Sequence, residues 1–202
     1  MRTSNQYEIE AWNNGQLLVG IDEAGRGPLA GPLVVAGVVF PANYDSGEIN
    51  DSKQLTEKQR EALYEVIVRD ALFYQIEIVE PDVIDKLNIL EADRQAMSRI
   101  AVAAPCEIVL TDAVALHIDK SVTALIKGDT LSCSIAAGSI LAKVTRDRIM
   151  YDYDKKYPEY GFAKHKGYPT KQHLEALEKY GVLPIHRKSF KPVFETLQEK
   201  LF

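Results

Sequence analysis

Cysteine is nearly absent from the chain. Only Cys106 and Cys133 occur in 202 residues, both in apolar surroundings and neither in a CxxC or Cys–His spacing. That excludes a disulfide framework and makes a thiolate zinc site improbable; it reads as two buried thiols in a reducing compartment. No apolar run approaches the roughly 20 residues that cross a bilayer. The start, MRTSNQYEIEAWNNGQ, has none of the apolar core of a secretory leader. These absences set the expectation of a cytoplasmic protein without a membrane partner. There is no internal repeat, no low-complexity linker and no Ser–His or Cys–His arrangement that would serve a covalent mechanism. Nor is there a heptad or hairpin edge that demands a partner chain, so a monomer is expected.

What is present suits a compact globular domain with at most a small appendage: 46% hydrophobic and 26% charged residues. The net charge of −5 is unevenly spread. Lys143–Phe202 carries 13 Lys and Arg against 8 Asp and Glu; of the 24 and 29 in the whole chain, that leaves 11 against 21 before it. A basic final third after an acidic remainder is compatible with phosphate contacts beside a carboxylate cluster, and equally with ordinary solvated helices.

Periodicity gives a coarse map. LLVGID (17–22) and the valine-rich LVVAGVVF (33–40) read as buried strands, joined by Pro28, Gly31 and Pro32 into an antiparallel hairpin. A helix follows, with Thr56 as N-cap and Gln59 at the capping-box position. Residues 72–80 alternate as a strand, 81–104 read as one helix, 107–113 as a strand, and 121–129 as a strand or extended edge. A long helix spans 134–157, with small residues from Ala136 to Ser139 that would let it approach a sheet closely. After Pro158 come a Gly/Pro/His-rich stretch, a short helix at 170–181 and a tail. The order predicts an α/β fold: a mixed central sheet flanked by helices with a small helical C-terminal part. Residues 1–157 form its core, and 158–202 are a C-terminal substrate-contacting segment of the same domain.

The stretch VGIDEAGRGPLAGP (19–32) raises the chemical question. Asp22 and Glu23 end one apolar run, Asp112 ends another, and Asp129 closes a third segment. A carboxylate at the end of a buried strand is costly unless paired, and a cation removes that cost. Oxygen-only donors favour a hard ion, Mg²⁺ or Mn²⁺, and about four carboxylates could hold two ions for phosphodiester hydrolysis. The plainer alternative is that each acid caps a turn independently. Gly25-Arg26-Gly27 could bring backbone N–H groups close to a sugar or phosphate, or could be a tight turn with a solvated arginine. Asp51-Ser52-Lys53, Lys143, Arg146 and Arg148 are candidate phosphate contacts, or else solvated, locally paired charges. Tyr168, in HKGYPT, suits stacking on a sugar or base, or simple packing. His186-Arg187-Lys188 is basic but not diagnostic.

Taken together and in order, GIDEAGRGPLAGPLVVAGVV, NDSKQLTEKQR, TDA, KGD, SIAAGSILAKVTRDR and HKGYPTKQHLEALEKYGVLPIHRKSF resemble bacterial type 2 ribonuclease H, over about Leu18–Val193. The resemblance implies a ribonuclease H-like fold and metal-binding Asp22, Glu23 and Asp112, with Asp129 completing a catalytic quartet. It implies that Gly25, Arg26 and Gly27 read the ribose 2′-hydroxyl at an RNA–DNA junction and that Tyr168 senses the junction. The implied cofactors are Mn²⁺ or Mg²⁺, two ions during catalysis. The implied substrates are RNA–DNA hybrids and duplex DNA with embedded ribonucleotides. The implied reaction is endonucleolytic hydrolysis, including incision 5′ of a single ribonucleotide, leaving 3′-hydroxyl and 5′-phosphate ends. A non-catalytic hybrid-binding module and a junction-cutting DNA nuclease are the competing readings. Two positions depart from the family pattern: Gly138, where many members carry Ala, and Ala113, where many carry Gly.

Overall fold

β1 (Leu18–Ala24) and β2 (Leu33–Val39) pair antiparallel, with Gly20 opposite Val38 and Ala24 opposite Val34. The Gly/Pro-rich link between them gives the expected reversal of direction. On the other side of β1 lies β4 (Ile108–Asp112), parallel to it, and β5 (Ser121–Leu125) runs parallel to β4. With β3 (Phe73–Val79) the sheet order is β3-β2-β1-β4-β5. The interior strands β2, β1 and β4 are the buried ones, while β3 and β5 at the two edges are more exposed. The predicted mixed α/β sheet is observed. The computed structural model describes residues 3–50 and 52–199. Asp51, read from the sequence with Ser52 and Lys53, lies outside them.

The helices are α1 (Gln6–Asn13), α2 (Glu57–Asp70), α3 (Pro81–Leu87), α4 (Ile89–Ala103), α5 (Gly128–Leu131), α6 (Cys133–Lys156), α7 (Phe162–His165), α8 (Lys171–Tyr180) and α9 (Lys191–Glu199). None is long and apolar enough to cross a membrane among the described residues. The capping box of α2 is formed: Thr56 Oγ1 accepts from the Gln59 N–H, and Gln59 Oε1 accepts from the Thr56 N–H. Small residues on α6 meet glycine on the sheet. A Cβ at Gly20 would stand 2.2 Å from Ile135 N, and one at Gly138 2.7 Å from the Ala36 carbonyl oxygen.

Three elements differ from what the sequence predicts. The single helix expected over 81–104 is broken at Asn88, whose φ of 66° is left-handed. Its side-chain oxygen accepts from the N–H groups of Leu90 and Glu91, so it starts a new helix instead of continuing the old one. The strand expected over 121–129 stops at Leu125. Lys127, at φ 58°, turns the chain into α5, so Asp129 stands on a helical turn and not at a strand end. The tail, left without structure in the sequence reading, holds α9.

Packing divides the chain into two units. The first takes the chain up to Ala24 with Val34–Glu77 and Asp93–Val144; the second takes Gly25–Leu33, Ile78–Ala92 and the chain from Thr145 onward. One boundary between the units lies within α6, and the β1–β2 link belongs to the second unit. The first unit buries Val19, Ile21, Val35, Met97, Ile100 and Ile140. The second has two apolar clusters, one around Met150, Tyr160, Phe162 and Ile185, the other around Leu29, Leu177 and Val193.

Candidate active site

Strand topology assembles the acids in the first unit. Because β1 and β4 are neighbours and parallel, with Ile21 opposite Thr111, Asp22 and Asp112 leave the same edge of the sheet from adjacent strands. Adjacent strands lie about 4.8 Å apart, so the two carboxylates feel each other. Asp22 is only 4% exposed. Burial first, and then the charges of Glu23 and Asp112, hold its carboxyl well above the usual carboxylate range. Its Oδ1 accepts from the Glu23 N–H at 2.7 Å, a bond that favours the ionised form but does not offset the rest.

Asp112 is fixed by the segment that follows β5: its Oδ1 accepts from the Gly128 N–H at 2.8 Å. The same turn carries Asp129, which is buried. Lys53 Nζ donates to Asp129 Oδ2 at 3.1 Å, and Thr3 Oγ1 donates to the Asp129 carbonyl. Ser52, on the 3-10 turn Ser52–Gln54, is buried, whereas Lys53 is exposed.

Among the described residues, no three His, Cys, Asp or Glu side chains stand ready as a metal cage. The donor chemistry nevertheless suits a hard cation. Asp22 bears the repulsion of two carboxylates, and Asp129 already holds a lysine ammonium. Mg²⁺ binds through one or two carboxylates together with substrate phosphates more often than in an all-protein cage. The carboxylates of Asp22, Glu23, Asp112 and Asp129 are oxygen donors of the kind such a cation takes.

Gly25, Arg26 and Gly27 belong to the second unit, where two buried arginines hold their loop from beneath. Arg146, 1% exposed, donates from Nε to the Pro32 carbonyl, from Nη1 to Lys166 and from Nη2 to Ala30, each at 3.0 Å. Arg187, 0% exposed, donates to the carbonyls of Gly31, Arg26 and Gly25 at 3.0, 3.0 and 2.7 Å. Burial lowers both guanidinium values, to about 10 and about 9, with each still charged at neutral pH. The expected phosphate contact at Arg146 is thereby corrected: its donors are spent on backbone. Lys143, half-buried, and the exposed Arg148 flank it on α6.

Gly25 is glycine for the arginine's sake, since a Cβ there would stand 2.2 Å from Arg146 Nε. In a trans peptide, carbonyl and N–H point opposite ways. The Arg26 carbonyl faces Arg187, so the N–H of exposed Gly27 faces away from it. A Cβ at Gly27 would meet the Tyr168 ring at 3.5 Å. Tyr168 itself is 46% exposed. Arg187 is not legible from the sequence, because a basic tripeptide carries no sign that its centre is buried against carbonyls.

A family model described as ribonuclease HII matches residues 19–193. The ribonuclease HII of Clostridioides difficile is 53% identical, covering 94% of this chain and 76% of its own. That of Acholeplasma laidlawii is 52% identical, covering 96% of each. Among solved structures, the ribonuclease H2 of Pyrococcus horikoshii superposes with a TM-score of 0.75 at 28% identity, covering 91% of this chain and 98% of its own. The Archaeoglobus fulgidus enzyme, solved in complex with PCNA, has a TM-score of 0.72 at 28% identity, covering 85% and 93%. The chain belongs to the ribonuclease HII family and is an endoribonuclease H, a hydrolase of the RNA strand in RNA–DNA hybrids.

Proposed function

We propose that the chain uses two divalent ions to cut RNA in hybrids and to incise duplex DNA 5′ of a single embedded ribonucleotide, leaving 3′-hydroxyl and 5′-phosphate ends. The observation that carries the reading is the convergence of Asp22, Glu23 and Asp112 at the shared edge of parallel β1 and β4. Bound there, Mg²⁺ or Mn²⁺ would lower the pKa of the attacking water and stabilise the leaving 3′-oxygen. Asp22, Glu23 and Asp112 are the primary donors. Asp129 completes the set, exchanging Lys53 for ion or substrate. A pure binding module would gain nothing from placing these negative charges beside phosphates.

The Gly25–Gly27 loop reads the sugar. Its backbone is held rigid by Arg187, and the Gly27 N–H is free to face outward as a donor to the 2′-hydroxyl, the group that separates RNA from DNA. Tyr168 offers an exposed ring to the sugar at the junction. Ser52, Lys53 and Lys143 grip the phosphate backbone, which carries no base information, so little sequence preference is expected. The two free thiols, one buried and one half-buried, suit a reducing cytoplasm.

The test is a DNA duplex with one embedded ribonucleotide, with and without Mg²⁺ or Mn²⁺. A metal-dependent cut on the 5′ side of the ribonucleotide is expected; its absence refutes the reading. Asp112→Asn should abolish turnover while largely keeping hybrid affinity, and equal loss of both would make Asp112 structural.

A further inference from the structure

The second unit buries three of the chain's four histidines: His173 at 0%, His186 at 1% and His165 at 7% exposure. None has a role in the reaction above. Their ring nitrogens are nevertheless all engaged, and the protons on them follow from the partners.

The Leu183 N–H donates to His186 Nδ1 at 2.8 Å. A backbone N–H can only donate, so that nitrogen carries a lone pair and the proton of the neutral ring sits on Nε2. His186 Nε2 lies 3.0 Å from His173 Nε2, which must therefore accept. The His173 proton is then on Nδ1, 3.0 Å from the carbonyl oxygen of Tyr168, to which it donates. His165 is fixed in the same manner: Nδ1 accepts from the Gly167 N–H at 3.2 Å, and Nε2 donates to the Tyr160 carbonyl at 2.8 Å. Its ring stacks on His173 with centroids 4.7 Å apart and planes 13° apart.

The chain of bonds thus runs in one direction, from Leu183 through His186 and His173 to Tyr168. Tyr168 is held at every backbone polar atom. Its N–H donates to the His165 carbonyl, and its own carbonyl accepts from both the Thr170 N–H and His173. Only its ring is left to solvent, against Gly27.

We infer that His173, oriented by His186, is a positioning residue that sets Tyr168 for discrimination between a single ribonucleotide and a continuous hybrid. The inference rests on the junction role of Tyr168 proposed above. The His173 proton gives the ring one position relative to Gly27; without it the loop keeps Arg146 on the Lys166 carbonyl and the Gly167 N–H on His165, but the Tyr168 carbonyl keeps only the local Thr170 N–H. Burial supports the neutral state the relay needs, pushing His173 down to about 4 and His186 to about 3. A second proton on the pair would set two N–H donors against each other at 3.0 Å.

The experiment compares cleavage of a single-ribonucleotide duplex with cleavage of a continuous hybrid in wild type, His173→Leu, His173→Asn and Tyr168→Ala. Asparagine keeps a donor near the place of Nδ1 and leucine does not. His173→Leu should lower the single-ribonucleotide to hybrid ratio by about tenfold, the upper range for one neutral hydrogen bond, and His173→Asn should restore most of it. An unchanged ratio in His173→Leu, or no restoration by asparagine, overturns the relay. A ratio unmoved by Tyr168→Ala overturns the junction reading instead, which separates the two failures. Should the leucine variant not fold, the ¹⁵N shifts of wild-type His173 decide: a proton on Nδ1 is expected, and a proton on Nε2 overturns the inference.

Discussion

At the scale of single residues, Ala113 holds a backbone conformation with a physical cost. It follows Asp112 directly, is exposed, and holds φ at 56°, with its N–H donating to the Leu125 carbonyl. An L-residue with a Cβ in the left-handed region costs roughly 1–2 kcal/mol, while glycine there costs only added freedom in the unfolded chain. Ala113→Gly should therefore raise stability by about 0.5–1 kcal/mol in urea unfolding, and a fall would mean that the methyl group makes contacts worth more than the strain. The acids beside it were legible because three of them, Asp22, Glu23 and Asp112, stop apolar runs, and a run that ends on charge is visible in one dimension. Arg146 was not legible. Helical spacing puts it near Lys143, but only the folded 30–32 and 166 carbonyls show that its guanidinium faces inward. Sequence gives a residue's type and its neighbours along the chain, and a cage of carbonyls is neither.

At the scale of elements, the boundaries read well wherever a local bond makes them. α2 begins where Thr56 and Gln59 said it would, because the capping box is complete within four residues. Thr56→Ala should cost about 1 kcal/mol in chemical denaturation, with hybrid cleavage retained since Thr56 lies outside the proposed machinery. A cost near zero would show that α2 is held by its buried Leu63 and Ile67 alone. The element errors share another cause. Asn88 and Lys127 both take left-handed backbone without being glycine, so the punctuation that sequence reading depends on is missing at each. Asn88 at least has the side chain to start a helix; Lys127 gives no such sign, so the helical turn that carries Asp129 is not visible in the sequence.

At the scale of the whole molecule, the histidines make the two units respond to acid in opposite senses. His173 and His186 titrate near 6.5 when unfolded and near 4 and 3 when folded, because burial opposes their charge. A lowered histidine value means that the unfolded chain binds protons first. Their contribution to stability is full above pH 6.5 and is lost as the pH falls towards the folded values. Each should weaken the fold by about 2 kcal/mol by pH 5, with a slope approaching about 1.4 kcal/mol per pH unit. Asp22 has the opposite sign: its folded value is raised, so the folded form takes up a proton before the unfolded one, and the repulsion at the acid cluster eases as pH falls. Hydrogen exchange between pH 7.5 and 5 distinguishes the two effects by location. Amides of α8 and of the 183–187 segment should lose protection steeply below pH 6.5, while those of β1 and β4 should not. In His186→Phe the slope in α8 should fall by about half. A uniform loss of protection across both units, or a slope unchanged by the substitution, would mean that acid acts on the chain through groups other than this buried pair.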